Sequence, residues 1–256
     1  MNQKQIVQEA KKQLAVDLNC KPENFDRPGI FFCPAADLPG RRPFPRREVA
    51  FDMATFGIGT VVSVSDFLLP QLQQKLGALD RDSLWSQPFL RSLGHYFLPD
   101  PERLRPLSPP PGIDLKWSGR EQMKNLYEIP GFSNALGYDL NGLRPDVLAV
   151  SAWSGECLVG MAGASADCSM LWQVGVDVLP DWRGNGLAAS LVSHLSFAVL
   201  QQGKIPYYGT SSSNLASQRT ACRVGYFPAW VCSYGVSLTV KERNAQDWEH
   251  KDQNSR

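Results

Sequence analysis

The spacing of apolar residues changes at one point in the second half of the chain. Three strand-like runs come first, at residues 147–153, 158–164 and 171–178. Short polar breaks separate these runs, and this order predicts an antiparallel meander. Beyond the third run, leucine or valine recurs every fourth residue and predicts a long helix. The residues of that stripe are Leu187, Leu191, Leu195 and Val199.

Three further elements are predicted in this half. Residues 205–210 read as a strand, 214–223 as a helix that Gly225 ends, and 227–238 as a strand region. Upstream, Ser118 and Glu121 match a capping box, which predicts a helix over 118–127. The tail at 241–256 is polar and charged, and we expect it to fray.

The first part of the chain, residues 1–106, has its own pattern. An amphipathic helix opens it, and a hairpin, two helices and a closing strand are predicted to follow. The hairpin strands are 48–55 and 60–64, the helices run from Asp66 to Gly77 and over 82–93, and the strand is 95–98. Three consecutive prolines in the bridge 107–112 favour a stiff, extended segment. We therefore predict an N-terminal α+β subdomain over 1–106 and a second domain over 113–240.

The composition narrows the class of protein only broadly. The chain has 43% hydrophobic and 20% charged residues and a net charge of +1. This balance is typical of globular proteins and gives no global field that attracts nucleic acid or a membrane. The sequence shows neither a membrane-spanning apolar run nor the apolar core of a secretion signal, so we expect a cytoplasmic protein. The six cysteines form no metal-ligand spacing, so no metal is expected, and we predict thiols.

A cluster of positive charge lies in the loop of the first part. It consists of Arg41, Arg42, Arg46 and Arg47. The cluster would contact an anion, such as a phosphate of a bound ligand, an anionic acceptor or RNA, or it is a solvated loop stiffened by prolines. The second interpretation, a solvated loop held stiff by Pro43 and Pro45, is favoured.

The turn that opens the long helix is the strongest candidate for ligand binding. Arg183-Gly184-Asn185-Gly186 leads directly into the apolar stripe. The first N–H groups of a helix have no partner within it and lie at the positive end of the helix dipole. Glycine leaves the backbone accessible, so this turn predicts a phosphate site, with Arg183 adding charge or bracing the turn. The glycine patterns of dinucleotide and triphosphate loops are absent from the sequence.

Two motifs together resemble the GCN5-related N-acetyltransferase (GNAT) superfamily. Residues 176–188 resemble its acetyl-coenzyme A signature, Arg/Gln-x-x-Gly-x-Gly/Ala, whose defined positions are Arg183, Gly186 and Ala188. Residues 214–226 resemble its next motif, filled by Asn214, Ser217, Gly225 and Tyr226. The resemblance covers about 113–240. Residues 163–178 are most similar to a bacterial branch of the superfamily that carries an N-terminal extension.

The resemblance implies a fold and a coenzyme site. The fold would be α+β, with a mixed, mostly antiparallel sheet flanked by helices and its fourth and fifth strands splayed apart. Acetyl-coenzyme A would be the co-substrate, its pantetheine arm in the splay, its pyrophosphate on the turn and Asn214 near its thioester. The coenzyme-binding residues implied are Val176, Asp177, Val178, Arg183, Gly184, Asn185, Gly186, Leu187, Ala188, Asn214 and Ser217.

The resemblance also implies direct attack of an amine on the thioester, which needs a base. Asp177 is the favoured candidate, and Asp167 and Gln173 are the other catalytic candidates. Each has a plain alternative: Asp177 as a surface or paired carboxylate, Asp167 as a turn residue, Gln173 as a partner of an internal polar group. Asn134 would contact the acceptor or form an Asx turn.

One expected catalytic group is missing. The superfamily often protonates the leaving thiolate with a tyrosine seven residues after the asparagine, and here that position is Ala221. Tyr207, Tyr208 and Tyr234 are candidates for the acid, or the thiolate leaves without one.

The predicted function is transfer of an acetyl group to a primary amine of a small molecule or peptide. The alternatives are a non-catalytic acetyl-coenzyme A sensor and an acyltransferase that uses another acyl-coenzyme A. The N-terminal part would serve as a lid over the acceptor cleft or as the surface of a homodimer. No nucleic-acid or membrane partner is expected.

Overall fold

One mixed sheet of ten strands organises the protein. The computed structural model describes residues 1–44, 49–90, 92–137, 139 and 141–234. The helices are α1 (Gln3–Leu18), α2 (Leu69–Leu76), α3 (Arg81–Trp85), α4 (Met123–Leu126), α5 (Leu187–Gln201) and α6 (Leu215–Val224). The strands are β1 (Gly29–Pro34), β2 (Phe51–Thr55), β3 (Gly59–Val64), β4 (Leu93–Pro99), β5 (Asp114–Gly119), β6 (Asp146–Ser154), β7 (Cys157–Ala166), β8 (Leu171–Val178), β9 (Ile205–Ser211) and β10 (Tyr226–Tyr234).

The sheet is mostly antiparallel. Its strand order is β1-β3-β2-β10-β4-β9-β8-β7-β6-β5, and only β1–β3 and β8–β9 pair in parallel. The predicted meander is confirmed as β6, β7 and β8. The α+β class, with a mixed, mostly antiparallel sheet flanked by helices, is therefore the observed one.

The two halves of the chain interleave within this sheet. Strand β4 comes from the first part, yet it lies between β9 and β10 and pairs with both. Strand β10 comes from the second part and also pairs with β2. The division at 107–112 stays a prediction about domains, but backbone hydrogen bonds join its two sides on both β4 and β10.

Apolar packing occupies both faces of the sheet. On one face α5 packs across β6, β7 and β8, and the predicted stripe is buried, with Leu191, Leu195 and Val199 at 0% exposure. On the opposite face α1 packs against β3 and β4, and its Ile6, Ala10 and Leu14 belong to one apolar cluster with residues of β9 and β10. The segment 123–136 covers β6 and β7 on that same face. We call the first the α5 face and the second the α1 face.

Three helix predictions in the connecting segments need correction. The helix predicted over 118–127 is wrong: Ser118 and Gly119 belong to edge strand β5, paired with Ala149 and Leu148 of β6. Only Met123–Leu126 is helical there, because a capping box is a local signal that strand pairing outweighs. Asp66 starts a 3₁₀ turn ahead of α2 and does not cap it, and α3 ends at Trp85, well before residue 93.

Several other expectations fall partly or wholly outside the described residues. The tail 241–256, Arg46 and Arg47 lie outside them, as does the end of the strand predicted over 227–238. All six cysteines are described, and each is a free thiol. Within the described ranges, no helix is long and apolar enough to cross a membrane.

Candidate functional site

Strands β8 and β9 separate partway along their length. They pair in parallel from Leu171 with Ile205 to Val174 with Tyr208, and no further pair follows among the described residues. Both strands nevertheless continue, β8 to Val178 and β9 to Ser211. A wedge-shaped gap therefore opens after Val174, as the resemblance implies for the fourth and fifth strands.

A cleft of about 700 Å³ extends from this gap to the glycine turn. Strand β8, the turn, the start of α5 and one side of α6 line it. Every residue predicted to bind coenzyme lines it except Asn185. The structure therefore brings the two sequence motifs together across one cavity. Helix α6 supplies four further lining residues that were not predicted: Ala216, Arg219, Thr220 and Arg223.

The glycine turn has the geometry of an anion site. Gly184 and Gly186 have φ values of 82° and 92°, which favour glycine. The side-chain oxygen of Asn185 accepts a hydrogen bond from the N–H of Leu187 at 3.2 Å, next to Gly186, the N-cap of α5. Ala188 and Ala189 follow in the first helical turn and line the cleft, where the described residues offer their N–H groups no acceptor. These N–H groups, at the positive end of the α5 dipole, fit a phosphate group.

The signature arginine braces this turn. Arg183 Nε donates to the carbonyl oxygen of Val178 at 2.8 Å, which ties the end of β8 to the start of α5. Of the two roles predicted for Arg183, the structure shows the bracing one. The opposite wall carries Arg223, whose Nη2 atom would lie 3.4 Å from a Cβ placed on Gly186. The four-residue spacing of Arg219 and Arg223 on a predicted helix is the sequence signal that could have identified them.

Among the described residues, Tyr208 is the tyrosine that lines the cleft. Its hydroxyl shares a hydrogen bond of 2.7 Å with Ser217 Oγ, which joins β9 to α6. Burial raises the pKa of Tyr208 above its usual value, the charge of Asp177 adds to this, and the bond to Ser217 opposes it. The hydroxyl therefore stays protonated at neutral pH and is available as a donor. Ala221 is fully buried, and the side chain of Tyr234 lies outside the described residues.

Asp177 holds a turn on the α1 face. Its carboxylate accepts the backbone N–H groups of Asn134 and Ala135, at 2.7 and 3.0 Å, and the Asn134 side-chain amide at 2.6 Å. The turn lies directly on the sheet: a Cβ on Gly175 would be 1.7 Å from the Asn134 carbonyl oxygen, and one on Gly163 would be 1.9 Å from that of Ala135. Asn134 thus binds Asp177, and Asp177 touches both this turn and the cleft.

Asp167 and Gln173 belong to a polar network away from the cleft. Arg144 pairs with Asp167, Nε to Oδ1 at 2.8 Å, and also donates to the side-chain oxygen of Gln173. The Tyr207 hydroxyl donates to both Asp167 and Gln173. Burial raises the pKa of Tyr207 well above its usual value. Asp167 is 3% exposed, both its oxygens are engaged, and it does not line the cleft, so its catalytic role stays a prediction.

The N-terminal part closes over this network. Arg42 is 2% exposed, pairs with Asp17 of α1 at 2.6 Å and lies over the ring of Tyr207. The Phe44 ring contacts both Arg42 and Arg144, with guanidinium-to-centroid distances of 5.1 and 4.5 Å. Arg42 is therefore not a solvated loop residue, and its anionic partner is Asp17 of the same chain. Its ion pair fastens the N-terminal part to the α1 face.

No metal cluster is found in the described part of the chain. There, no group of three or more His, Cys, Asp or Glu residues is placed to hold a metal ion. The described residues that line the cleft offer backbone N–H groups, hydroxyls, guanidinium groups and the carboxylate of Asp177.

A known protein family matches the segment that carries this cleft. Residues 116–226 match the model of the acetyltransferase (GNAT) family. These residues therefore form a domain of the GNAT superfamily, as the two motifs indicated.

Solved structures of the superfamily are similar to this chain at low identity. A GCN5-related N-acetyltransferase-like protein from Streptococcus suis 89/1591 is 17% identical over 68% of this chain and 70% of its own, with a TM-score of 0.45. A GCN5-related N-acetyltransferase from Kribbella flavida is 20% identical over 57% and 58%, with a TM-score of 0.45. The Salmonella typhimurium protein yncA, solved with its cofactor acetyl-CoA, is 15% identical over 48% and 91%, with a TM-score of 0.36. A comparison with curated proteins gave no match.

Proposed function

We propose that this protein transfers the acetyl group of acetyl-coenzyme A directly to a primary amine of a small molecule or peptide. The observation that carries the proposal is the gap after Val174, which opens into a cleft ending at the glycine turn of α5. A gap between strands admits an extended arm whose amides pair with free strand edges, and the turn fits a pyrophosphate. A thioester of coenzyme A has both parts.

The proposed reaction makes one bond and breaks one. The amine nitrogen bonds to the acetyl carbon, the carbon–sulfur bond breaks, and the amine gives up a proton. A base must take that proton, and a donor beside the sulfur stabilises the thiolate as it leaves. We assign the donor to Tyr208, because it is the tyrosine in the cleft and it stays protonated. Asp177 remains the proposed base, since it faces both the cleft and the turn at 134–135.

Replacing Tyr208 tests the donor. Tyr208→Phe is expected to lower kcat by about a hundredfold, the low end for a general acid because a thiolate is a good leaving group. The affinity for coenzyme A should change little. Because its pKa is raised, the hydroxyl stays protonated above the usual range of tyrosine, so any alkaline loss of wild-type kcat that it causes should begin above pH 10. Thiol release measured against pH checks this.

Ser217→Ala is the matched control for Tyr208. It removes the partner of the hydroxyl but keeps the donor, so kcat should fall much less than in Tyr208→Phe. Equal losses in the two variants would show that the Tyr208–Ser217 contact matters only for structure.

Asp177→Asn tests whether Asp177 acts as the base or only holds the turn at 134–135. If Asp177 takes the amine proton, the acidic limb of the pH profile of kcat should disappear and kcat should fall by at least about a hundredfold. Asn134→Ala removes one of the bonds that Asp177 makes to the turn and leaves the carboxylate in place. Similar losses in both variants, with an unchanged pH profile, would leave Asp177 with the holding role alone.

The direct test of the proposal uses acetyl-coenzyme A and a panel of amines. Turnover followed as free thiol, with acetylated amine identified by mass, is the expected result. Binding by calorimetry without turnover on any amine would favour a sensor, and turnover only with longer acyl chains would favour another acyl-coenzyme A. Absence of binding would reject all three.

A further inference from the structure

The structure points to a cationic clamp on α6, formed by Arg219 and Arg223, that binds the pyrophosphate of the donor from the side opposite the glycine turn. This inference rests on the proposed use of a coenzyme A thioester. In this inference, cations on α6 add to the charge of Arg183 in neutralising the pyrophosphate.

The need for such a clamp follows from the position of Arg183. Its Nε atom is bound to the carbonyl of Val178, so the group braces the turn. Beside the one charge of Arg183, the turn offers neutral N–H groups and the partial charge of the α5 dipole. The whole chain carries a net charge of +1, which supplies no general attraction for an anion. Because a pyrophosphate carries more than one negative charge, a tight site gains from further cations on the opposite wall.

Arg223 lies where that cation is needed. A Cβ built on Gly186 would be 3.4, 3.5 and 3.6 Å from its Nη2, Nη1 and Cζ atoms, so the guanidinium group lies directly over the first turn of α5. A phosphate bound to the N–H groups of Ala188 and Ala189 would contact it from the other side. Guanidinium groups bind phosphate through paired donors, which makes this placement chemically apt.

Both arginines are uncommitted in the described part of the chain. Arg219 and Arg223 are exposed, line the cleft and make no ion pair or hydrogen bond to a described residue. By contrast, other described arginines are engaged within the protein, among them Arg41, Arg42, Arg81, Arg144 and Arg183. Their spacing of four residues places the two guanidinium groups on one side of α6, one turn apart.

The position along α6 favours the pyrophosphate over the other phosphate of coenzyme A. The glycine turn fits the pyrophosphate, and Arg223 adjoins that turn. The 3′-phosphate is attached to the ribose, on the far side of the pyrophosphate from the thioester arm. A clamp at Gly186 should therefore bind coenzyme A and dephospho-coenzyme A alike.

Calorimetry with these two ligands tests the clamp. Arg223→Gln is expected to weaken both by the same factor, about tenfold to a hundredfold, which is the range for one lost charge-assisted hydrogen bond. Arg219→Gln should act in the same direction. In both variants the affinity should also depend less steeply on salt than in the wild type, because one ion contact is gone. Arg223→Lys should recover part of the loss.

Arg120→Gln is the control, since Arg120 is exposed and lies outside the cleft. This variant should bind coenzyme A with the affinity of the wild type. Unchanged affinity of Arg223→Gln would overturn the clamp while leaving the proposed function intact. A loss confined to coenzyme A, sparing dephospho-coenzyme A, would overturn the pyrophosphate assignment in favour of the 3′-phosphate. A wild-type protein that binds neither ligand would reject the proposed function and the clamp together.

Discussion

Gly186→Glu is expected to raise the Kd for coenzyme A by at least about a hundredfold, because it removes several charge-assisted contacts with the pyrophosphate at once. Residue 186 has a φ of 92°, where a side chain is strained, and its Cβ would point at the guanidinium group of Arg223. The new carboxylate would occupy the anion site and pair with that cation. Calorimetric titration with coenzyme A measures the effect.

Gly184→Ala separates obstruction from backbone strain. Gly184 has a similar φ of 82°, but a Cβ there would meet no atom within 4 Å. This variant should therefore bear a strain of about 1 kcal/mol without filling the anion site, and its affinity should fall only slightly. Both variants should be compared at matched folded fractions from melting curves. Wild-type affinity in Gly186→Glu would show that the pyrophosphate lies elsewhere.

Arg42→Met is expected to destabilise the whole protein by about 3 kcal/mol, the lower end for breaking a buried ion pair by removing one partner. Arg42 is 2% exposed, and the Asp17 carboxylate accepts hydrogen bonds from its Nε atom and from its backbone N–H. The substitution leaves the Asp17 carboxylate, whose side chain is 11% exposed, without its guanidinium partner, and it removes the contacts of that guanidinium group with Phe44 and Tyr207. Urea unfolding measures the change in the free energy of unfolding.

Lys12→Met is the control for that measurement. It breaks an ion pair on the same helix, with Glu9 at 2.7 Å, whose lysine side chain is 62% exposed. An exposed pair is worth less than about 1 kcal/mol, so the stability should hardly change. Equal effects of the two substitutions would contradict a fastening role for Arg42. If Arg42→Met proves too unstable to purify, Asp17→Asn, which keeps two of the acceptor contacts, should give a smaller loss of the same sign.

Local chemistry explains why the glycine turn and the start of α6 were predictable from the sequence. The turn at Arg183–Ala188 needs glycines in a left-handed conformation next to a helix start, and Asn214 caps α6 by accepting the Ser217 N–H. Both requirements are met within a few neighbouring residues, so they leave motifs in the sequence. The same holds for the α5 stripe and the three strands of the meander, whose burial follows from their periodicity.

Residues whose roles depend on distant partners were harder to predict. Asp167 suggested a turn residue or a base, yet it is buried by Arg144 and Tyr207, which lie 23 and 40 positions away. Arg42 suggested a solvated loop, yet Asp17 and two aromatic rings enclose it. Ser118 suggested a helix cap, yet β6 recruits it into an edge strand. In each case the partner decides the role, and no local pattern names the partner.

The sequence by itself determined the family motifs, the meander, the long helix and the glycine turn, because these depend on neighbours along the chain. Only the tertiary structure decided that β4 enters the sheet between β9 and β10, that Arg183 braces the turn while Arg223 faces it, and that Tyr208 is the tyrosine in the cleft. Strand order and side-chain pairing across long loops are fixed by burial and hydrogen bonding summed over the whole molecule, and these terms appear only once the chain is folded.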